Sequence, residues 1–192
     1  MSRVHAFLVV ATLALALACK GPAVPNPMTG ESRYTCCNIH YEKTEITDVN
    51  YLTGAMIPFG TRVQILEVRK NSVKFQPEGH PPMTLVLRHG RKVLGMEEYL
   101  GRVFLREDPH AKLPKPAKGR KTAAAEVDKT QKNIEQGVVD VGMTKDQVLM
   151  AIGYPPAHRT PSLQSPVWTY WSNHWSSFEV YFDGDKVSRV NR

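Results

Sequence analysis

The sequence predicts an α+β protein, with a small all-β barrel over residues 34–108 and a unit of two helices and three strands over residues 122–192. Two patterns support this prediction. In the first range, apolar and polar residues alternate in short segments separated by turn residues, which is typical of strands. In the second range, two segments with helix start and stop signals precede three more alternating segments. The 192 residues are enough for two small units of this kind.

The chain begins with a segment typical of an exported protein. Arg3 is followed by an almost unbroken apolar run over residues 6–18. This run is shorter than the roughly 20 residues that a membrane span needs, but it fits the apolar part of a signal peptide. Removal of residues 1–18 is therefore expected.

The residues Ala16-Leu17-Ala18-Cys19 resemble the bacterial lipobox, the motif that lipoprotein signal peptidase cuts. The resemblance implies that Cys19 becomes a lipidated N-terminus and anchors the protein in a membrane. By the sorting rule of enteric bacteria, Lys20 in place of an Asp implies the outer membrane, on its periplasmic side. The alternative is an ordinary secretory signal that is cut near Ala18.

The elements of the first unit follow a predicted flexible tether at residues 19–33, which is rich in proline and glycine. Alternation predicts strands over residues 61–68, 72–76 and 83–87, a tight turn at His89-Gly90, and a single helical turn over residues 96–100. The run Ile-Pro-Phe-Gly-Thr-Arg-Val at residues 57–63 resembles the start of bacterial SH3-like domains. That resemblance implies an SH3-like barrel.

A basic linker is predicted at residues 109–121, where prolines interrupt both patterns and acidic residues are absent. Its functional interpretation is attraction to anionic lipid or to cell-wall material such as peptidoglycan. Each basic residue near an anionic surface contributes about 1 kcal/mol, which salt screens. The alternative is a solvated spacer.

The second unit has clear helix signals. Residues 122–136 are good helix formers, and Gly137 suits the end of that helix. Thr144-Lys145-Asp146-Gln147 is a capping box that starts a second helix, and Gly153 with the prolines after it ends that helix. Residues 167–171, 178–182 and 186–190 alternate as three strands, with Asp183-Gly184 as the last turn.

The same region carries a family resemblance. The run Gly-Met-Thr-Lys-Asp-Gln-Val at residues 142–148, followed by Ile-Gly-Tyr-Pro at residues 152–155, resembles the signature of the SmpA/OmlA family, the BamE-like domains of outer-membrane lipoproteins. The resemblance covers about residues 125–192. It implies two helices on a three-stranded antiparallel sheet, with the β-barrel assembly complex as a candidate partner. It carries over no functional side chain.

Cys36 and Cys37 are adjacent, and they are the two cysteines left after lipidation of Cys19. They could form a vicinal disulfide, pair with a partner or stay as thiols, although an oxidising compartment disfavours thiols. A metal site with His40 would need a second cluster of ligands, which the sequence lacks. We therefore expect neither a metal nor another cofactor.

All three tryptophans lie within residues 168–175. Trp168, Tyr170 and Trp175 are candidate partner contacts, because Trp and Tyr contribute strongly to protein interfaces. Trp175, beside the turn at residues 172–174, is the best candidate for an exposed contact. The alternative for all of them is packing in the core.

No catalytic site is predicted. A catalytic triad of Ser, His and Asp could be drawn from five residues, but neither serine lies in the sequence motif of a nucleophile. The five residues are Ser162, Ser176, His158, His174 and Asp183. His80 and His89 lie beside turns without a cluster of carboxylates or thiols.

The expected function is therefore binding. The net charge of +7 suits anionic lipid or an acidic partner, while nucleic acid is not expected for an exported chain. We expect a lipoprotein of the outer membrane that binds an envelope protein in envelope assembly or integrity. The alternative is a periplasmic module that binds the cell wall or inhibits an enzyme.

Overall fold

The computed structural model describes residues 26–113 and 121–192. The signal segment at residues 1–18, the lipidation site Cys19 and the first part of the predicted tether lie outside the described residues. Within the described residues, no helix is long and apolar enough to cross a membrane. The described residues form an α+β fold, as predicted, with a curled β-sheet and three α-helices.

Eight strands form the first part of the chain: β1 (Ser32–Thr35), β2 (Ile39–Tyr41), β3 (Glu45–Thr47), β4 (Ala55–Ile57), β5 (Arg62–Arg69), β6 (Ser72–Pro77), β7 (Met83–Val86) and β8 (Phe104–Leu105). Six of them make one sheet in the order β3-β7-β6-β5-β1-β8, and β2 pairs with β4 separately. The β3–β7 pair is parallel, and the other pairs of this sheet are antiparallel. Helix α1 (Met96–Val103) lies between β7 and β8.

The predicted alternation explains the core of this sheet. Ile65 on β5 is opposite Phe75 on β6, and Val73 on β6 is opposite Leu85 on β7. All four side chains are buried, together with Leu100 of helix α1. The strands at residues 61–68, 72–76 and 83–87 are therefore confirmed to within one or two residues at their ends.

Three predictions for the first unit need correction. The tether is shorter than expected, because β1 begins at Ser32 and Arg33 is buried. His89-Gly90 is not a tight hairpin turn, since a 3₁₀-helix spans Gly90–Lys92. The helical turn predicted for residues 96–100 continues to Val103, so this range is not all β.

The carboxylate of Asp48 explains why the chain forms a 3₁₀-helix at Gly90–Lys92 instead of a tight turn. It accepts the backbone N–H groups of Arg88 at 2.8 Å, His89 at 3.0 Å and Gly90 at 2.6 Å. These bonds satisfy the donors that a helix start leaves without partners, so the chain turns into a helix there.

The second part of the chain contains α2 (Lys121–Gln136), α3 (Lys145–Ile152), β9 (Val167–Trp171), β10 (Ser177–Asp183) and β11 (Lys186–Asn191). The three strands form an antiparallel sheet in the order β11-β10-β9. The helices and the sheet share a core in which Ile134, Val148 and Ile152 pack with Trp168 and Val180. The capping box is confirmed, because the Gln147 N–H donates to the Thr144 hydroxyl at 3.3 Å and the Thr144 N–H donates to Gln147 Oε1 at 2.9 Å.

The two parts of the chain are packed against each other. Phe59, which lies between β4 and β5, is buried in the core of the second part. The ring of His110 lies 5.0 Å from the ring of Phe59. His110 belongs to a 3₁₀-helix at Pro109–Lys112, so the linker predicted for residues 109–121 does not begin at residue 109. The rest of that linker, residues 114–120, lies outside the described residues.

Candidate binding site

Asn38 holds the two parts of the chain together at a contact that we call the seam. Its side chain is fully buried, at 0% exposure. The amide nitrogen Nδ2 donates to the carbonyl oxygens of Ile134 at 2.5 Å and Ala151 at 2.9 Å. The Oδ1 atom accepts the backbone N–H of Phe59 at 2.7 Å. One side chain thus satisfies three buried backbone groups from three separate segments.

Asn50 makes a second set of bonds across the seam. Its Nδ2 atom donates to the carbonyl oxygen of Asn38 at 3.0 Å and to that of Ile152 at 2.9 Å. Its Oδ1 atom accepts the backbone N–H of His40 at 2.8 Å. The segment from β2 to β4 is therefore fixed against helix α3.

Cys36 and Cys37 lie directly before Asn38, and in the structure their sulfur atoms are joined in a vicinal disulfide. Both residues are buried. Cys37 also lines a small cavity at the seam with a volume of about 40 Å³. A water molecule needs roughly 10–15 Å³ of such volume, so this cavity has room for only a few waters. In the part of the chain that is described, no group of three or more His, Cys, Asp or Glu side chains could hold a metal ion.

A larger opening lies beside the seam, and we call it the groove. Its volume is about 230 Å³. Its lining includes His40, Tyr41, Thr47, Tyr51, Arg88 and His174. His174 comes from the loop between β9 and β10, and its ring centroid lies 4.0 Å from that of Tyr51. Both parts of the chain therefore contribute to the groove.

Three polar atoms of the groove residues are buried without a hydrogen-bond partner among the described residues. They are Nδ1 and Nε2 of His40 and Oγ1 of Thr47. Burial lowers the pKa of His40 from its ordinary value of 6.5, so its ring is neutral at neutral pH. Buried polar atoms of a folded protein are nearly always paired with protein, water or a ligand.

The groove is lined by equal numbers of acidic and basic side chains. Two carboxylates, Glu42 and Glu45, and two cationic side chains, Lys43 and Arg88, line it. Arg88 Nη2 lies 2.9 Å from Glu45 Oε1, and His174 Nε2 lies 3.9 Å from Glu42 Oε2. The groove therefore has no marked excess of either charge.

The loop between β9 and β10 presents Trp175 to solvent, and we call it the hairpin tip (residues 172–176). Trp175 is 91% exposed. The Asn173 Oδ1 atom accepts the backbone N–H groups of Trp175 at 2.8 Å and Ser176 at 2.9 Å. The Ser172 N–H also donates to the Ser176 carbonyl at 2.9 Å, so the tip has a defined conformation.

Trp168 and Tyr170, the other two candidate contacts, must be withdrawn. They are 1% and 2% exposed, because alternate residues of β9 face the helices. The Trp168 ring packs 4.6 Å from that of Phe182, and the Tyr170 hydroxyl donates to the Gly153 carbonyl at 3.0 Å. Both side chains belong to the core.

The residues from which a triad could be drawn come from several places in the fold. His174 and Ser176 lie in the hairpin tip, and Asp183 lies at the far end of β10. His158 lies beside His89, with their ring centroids 5.5 Å apart. The Ser162 hydroxyl accepts the backbone N–H of Gln164. Among the described residues, no hydrogen bond joins the hydroxyl of Ser162 or Ser176 to the ring of His158 or His174.

Comparisons of this chain with protein-family models, with curated proteins and with solved structures found no match. The function is therefore argued from geometry. Sequence reasoning singled out Trp175, but it missed Asn38, Thr47 and Tyr51. No local pattern marks them in the sequence, because Asn38 and Tyr51 make their contacts with distant parts of the chain.

Proposed function

We propose that this chain is an exported lipoprotein, anchored through Cys19 to the periplasmic side of the outer membrane, that binds another envelope protein through the hairpin tip. The observation that supports the proposal is the exposure of Trp175 on the hairpin tip. An exposed tryptophan on a loop whose backbone is already fixed offers a large apolar contact at a small cost in conformational entropy.

The proposal includes a BamE-like unit at residues 122–192 and an SH3-like unit before it. In support of the first, the chain order of two helices and three strands is the one that the resemblance implies. For the second, the six strands form a curled sheet with edges at β3 and β8 and a helix between two of its strands.

The anchor is tested by expressing the chain in a Gram-negative host beside a Cys19→Ser variant. We expect wild type to carry a triacyl mass increment and to fractionate with the outer membrane, and the variant to lose both. If the wild-type protein is instead cut near Ala18 and carries no lipid, the proposed lipid anchor at Cys19 is wrong.

The partner contact is tested by a photo-crosslinking amino acid at position 175, with position 141 as the control. Val141 is also exposed, at 61%, but it lies outside the hairpin tip. We expect one envelope protein to crosslink from position 175 only, and a component of the β-barrel assembly complex is the first candidate. Asn173→Ala should weaken this crosslink, because the variant frees the backbone around Trp175. Equal crosslinking from both positions would contradict the proposal.

A further inference from the structure

We infer that the free edge of β3, where it borders the groove, is a binding site for an extended peptide segment that adds a strand to the six-stranded sheet. β3 is the last strand of that sheet, so within the described residues it has a partner strand, β7, on one side only. Neither the lipid anchor nor the hairpin tip is needed for this site, because Trp175 is not among the residues that line the groove.

The hydrogen bonds between β3 and β7 show which backbone groups of β3 are already used. The Thr84 N–H donates to the Thr44 carbonyl at 2.8 Å, and the Asp48 N–H donates to the Val86 carbonyl at 3.2 Å. The pair is parallel, and it has no shift of register between these two bonds. In such a pair each strand bonds through alternate residues, so Thr44, Ile46 and Asp48 bond to β7.

The N–H and C=O groups of Glu45 and Thr47 therefore point away from β7. The Thr47 carbonyl accepts the Asn50 N–H at 3.4 Å. Among the described residues, the N–H and C=O of Glu45 and the N–H of Thr47 have no hydrogen-bond partner. All three residues of β3 line the groove, and Glu45 is exposed, so this edge is open to a molecule in the groove.

The arrangement of these groups identifies the ligand as a polypeptide main chain. A donor and an acceptor on Glu45 are followed by a donor on Thr47, two residues along, at a separation of about 7 Å. An extended peptide presents matching acceptors and donors at the same spacing, and it adds to the edge of a sheet through main-chain hydrogen bonds. A small ligand would bond to one of these residues but not to both.

The wall of the groove suits the side chains of a strand. Alternate side chains of an added strand lie on the same face of the sheet. Tyr41, Tyr51 and His174 line the groove, and the ring centroids of Tyr51 and His174 are 4.0 Å apart. Val, Thr and Tyr favour strands, and β-branched and aromatic side chains pack well against aromatic rings. A peptide that alternates such residues is therefore a suitable probe.

The charges beside β3 make a second copy of this chain an unsuitable occupant. Glu42, Lys43 and Glu45 are exposed, and β3 is only three residues long. Short edge strands with charged side chains protect natural proteins against edge-to-edge pairing. The occupant is thus a segment of another polypeptide, and self-association is one outcome of the experiment below.

A matched pair of substitutions separates the backbone of Glu45 from its side chain. Glu45→Pro removes the free N–H, and proline is tolerated at the first residue of an edge strand, which is the position of Glu45. Glu45→Ala keeps the N–H. Both variants lose the ion pair with Arg88, and both keep the bonds to β7, because Glu45 makes none of them.

Hydrogen exchange of the full chain, followed by NMR, tests the free edge before a ligand is added. We expect the protection factors of the Glu45 and Thr47 amides to be at least about tenfold lower than those of Ile46 and Asp48, which are bonded to β7. Equal protection of the four amides would show that the edge is not free and would overturn the inference. A dimer of the chain with a protected Glu45 amide would overturn it as well.

Binding is tested by an NMR titration of the full chain with the acetylated and amidated peptide Ser-Val-Thr-Tyr-Thr-Val-Ser. We expect saturable binding, with slower exchange of the Glu45 and Thr47 amides in the complex. Affinity should fall up to about tenfold in Glu45→Pro, the loss expected for one hydrogen bond, and should not change in Glu45→Ala. A control peptide with proline as its third and fourth residues should not bind, because it lacks donors that a strand needs.

Three results of the titration would overturn the inference. They are the absence of saturable peptide binding to wild type, equal binding of the control peptide, and equal affinity of the peptide for Glu45→Pro and Glu45→Ala. If Glu45→Pro does not fold, the control peptide and the hydrogen exchange of wild type decide the question. Loss of crosslinking at position 175 with peptide binding intact would reject the proposed protein partner and leave this inference standing.

Discussion

At Asn38, one buried amide replaces the water that three backbone groups would bond to in the unfolded chain. Its partners are the carbonyls of Ile134 and Ala151 and the N–H of Phe59. A buried polar group that loses its partner costs roughly 1–3 kcal/mol. The seam therefore depends strongly on the side chain of one buried residue.

Asn38→Ala should lower the free energy of unfolding by about 2 kcal/mol or more, because it leaves the Ala151 carbonyl and the Phe59 N–H without a partner, while the Ile134 carbonyl keeps its bond from the Gly137 N–H. Urea unfolding measures the change. Asn71→Ala is the control, since Asn71 is exposed on the turn between β5 and β6, and it should change the free energy by less than about 0.5 kcal/mol. Equal effects of the two substitutions would show that the hydrogen bonds at the seam are not important for stability.

His40 should make stability depend on pH. Burial lowers its pKa in the folded protein, so the unfolded chain binds the proton more readily. The free energy of unfolding should therefore fall as pH drops through 6.5 toward the lower pKa of the folded state. His40→Leu should reduce this slope in urea unfolding between about pH 7 and 5.

Part of the slope should remain in His40→Leu, because burial and the nearby His89 also lower the pKa of His158. The double variant with His158→Ala should be flatter still. The other ionisable residues that line the groove are Tyr41, Glu42, Lys43, Glu45, Tyr51, Arg88 and His174. They are unchanged in both variants, so an unaltered slope would contradict the role of His40.

At the scale of single elements, the start of α3 is the feature that the sequence predicted best. Thr144 and Gln147 bond to each other's backbone as a capping box does, and Gly153 ends the helix with a φ of 83°. These signals are local, so they can be read from a few neighbouring residues. The alternation that predicted β5, β6 and β7 is local in the same sense.

Elements that depend on distant residues were not predictable in this way. The parallel pairing of β3 with β7 joins segments far apart in the chain and leaves no periodic signal. The 3₁₀-helix at Gly90–Lys92 begins where the Asp48 carboxylate meets the backbone, and the sequence around it indicated only a turn. The groove escaped prediction for the same reason, because His40 and His174 come from different parts of the fold.

Thr144→Ala should destabilise the protein by about 1 kcal/mol, because it removes the acceptor at the start of α3. Thermal or urea unfolding measures the loss. Gln147→Ala breaks the reciprocal bond, and the double variant should lose less than the sum of the two single losses, since the two bonds support one another. Strict additivity would mean that the two bonds act independently.

The molecule as a whole should unfold as one cooperative unit, although its sequence suggests two domains. Phe59 from the first part completes the core of the second, and Asn38 and Asn50 bond across the seam. Neither part can leave the other without exposing apolar surface and breaking buried hydrogen bonds. An isolated second part would lack one of its core side chains.

Tryptophan fluorescence tests this cooperativity, because all three tryptophans lie in the second part of the chain. The fluorescence and far-UV circular dichroism transitions in urea should coincide. Phe59→Ala should shift both transitions together by about 3 kcal/mol, the cost of truncating a buried aromatic residue. A fluorescence transition that Phe59→Ala leaves unchanged would show that the two parts unfold separately.

The bonds across the seam also have a consequence for folding kinetics. They join residues separated by 96, 102 and 113 positions, so large loops must close before these bonds can form. We expect the seam to form after the transition state of folding, because the strands and helices on either side are held by contacts between residues that are closer in the sequence. Substitution of Asn38 should then accelerate unfolding while leaving the refolding rate nearly unchanged. The seam would thus determine how long the folded protein lasts rather than how quickly it forms.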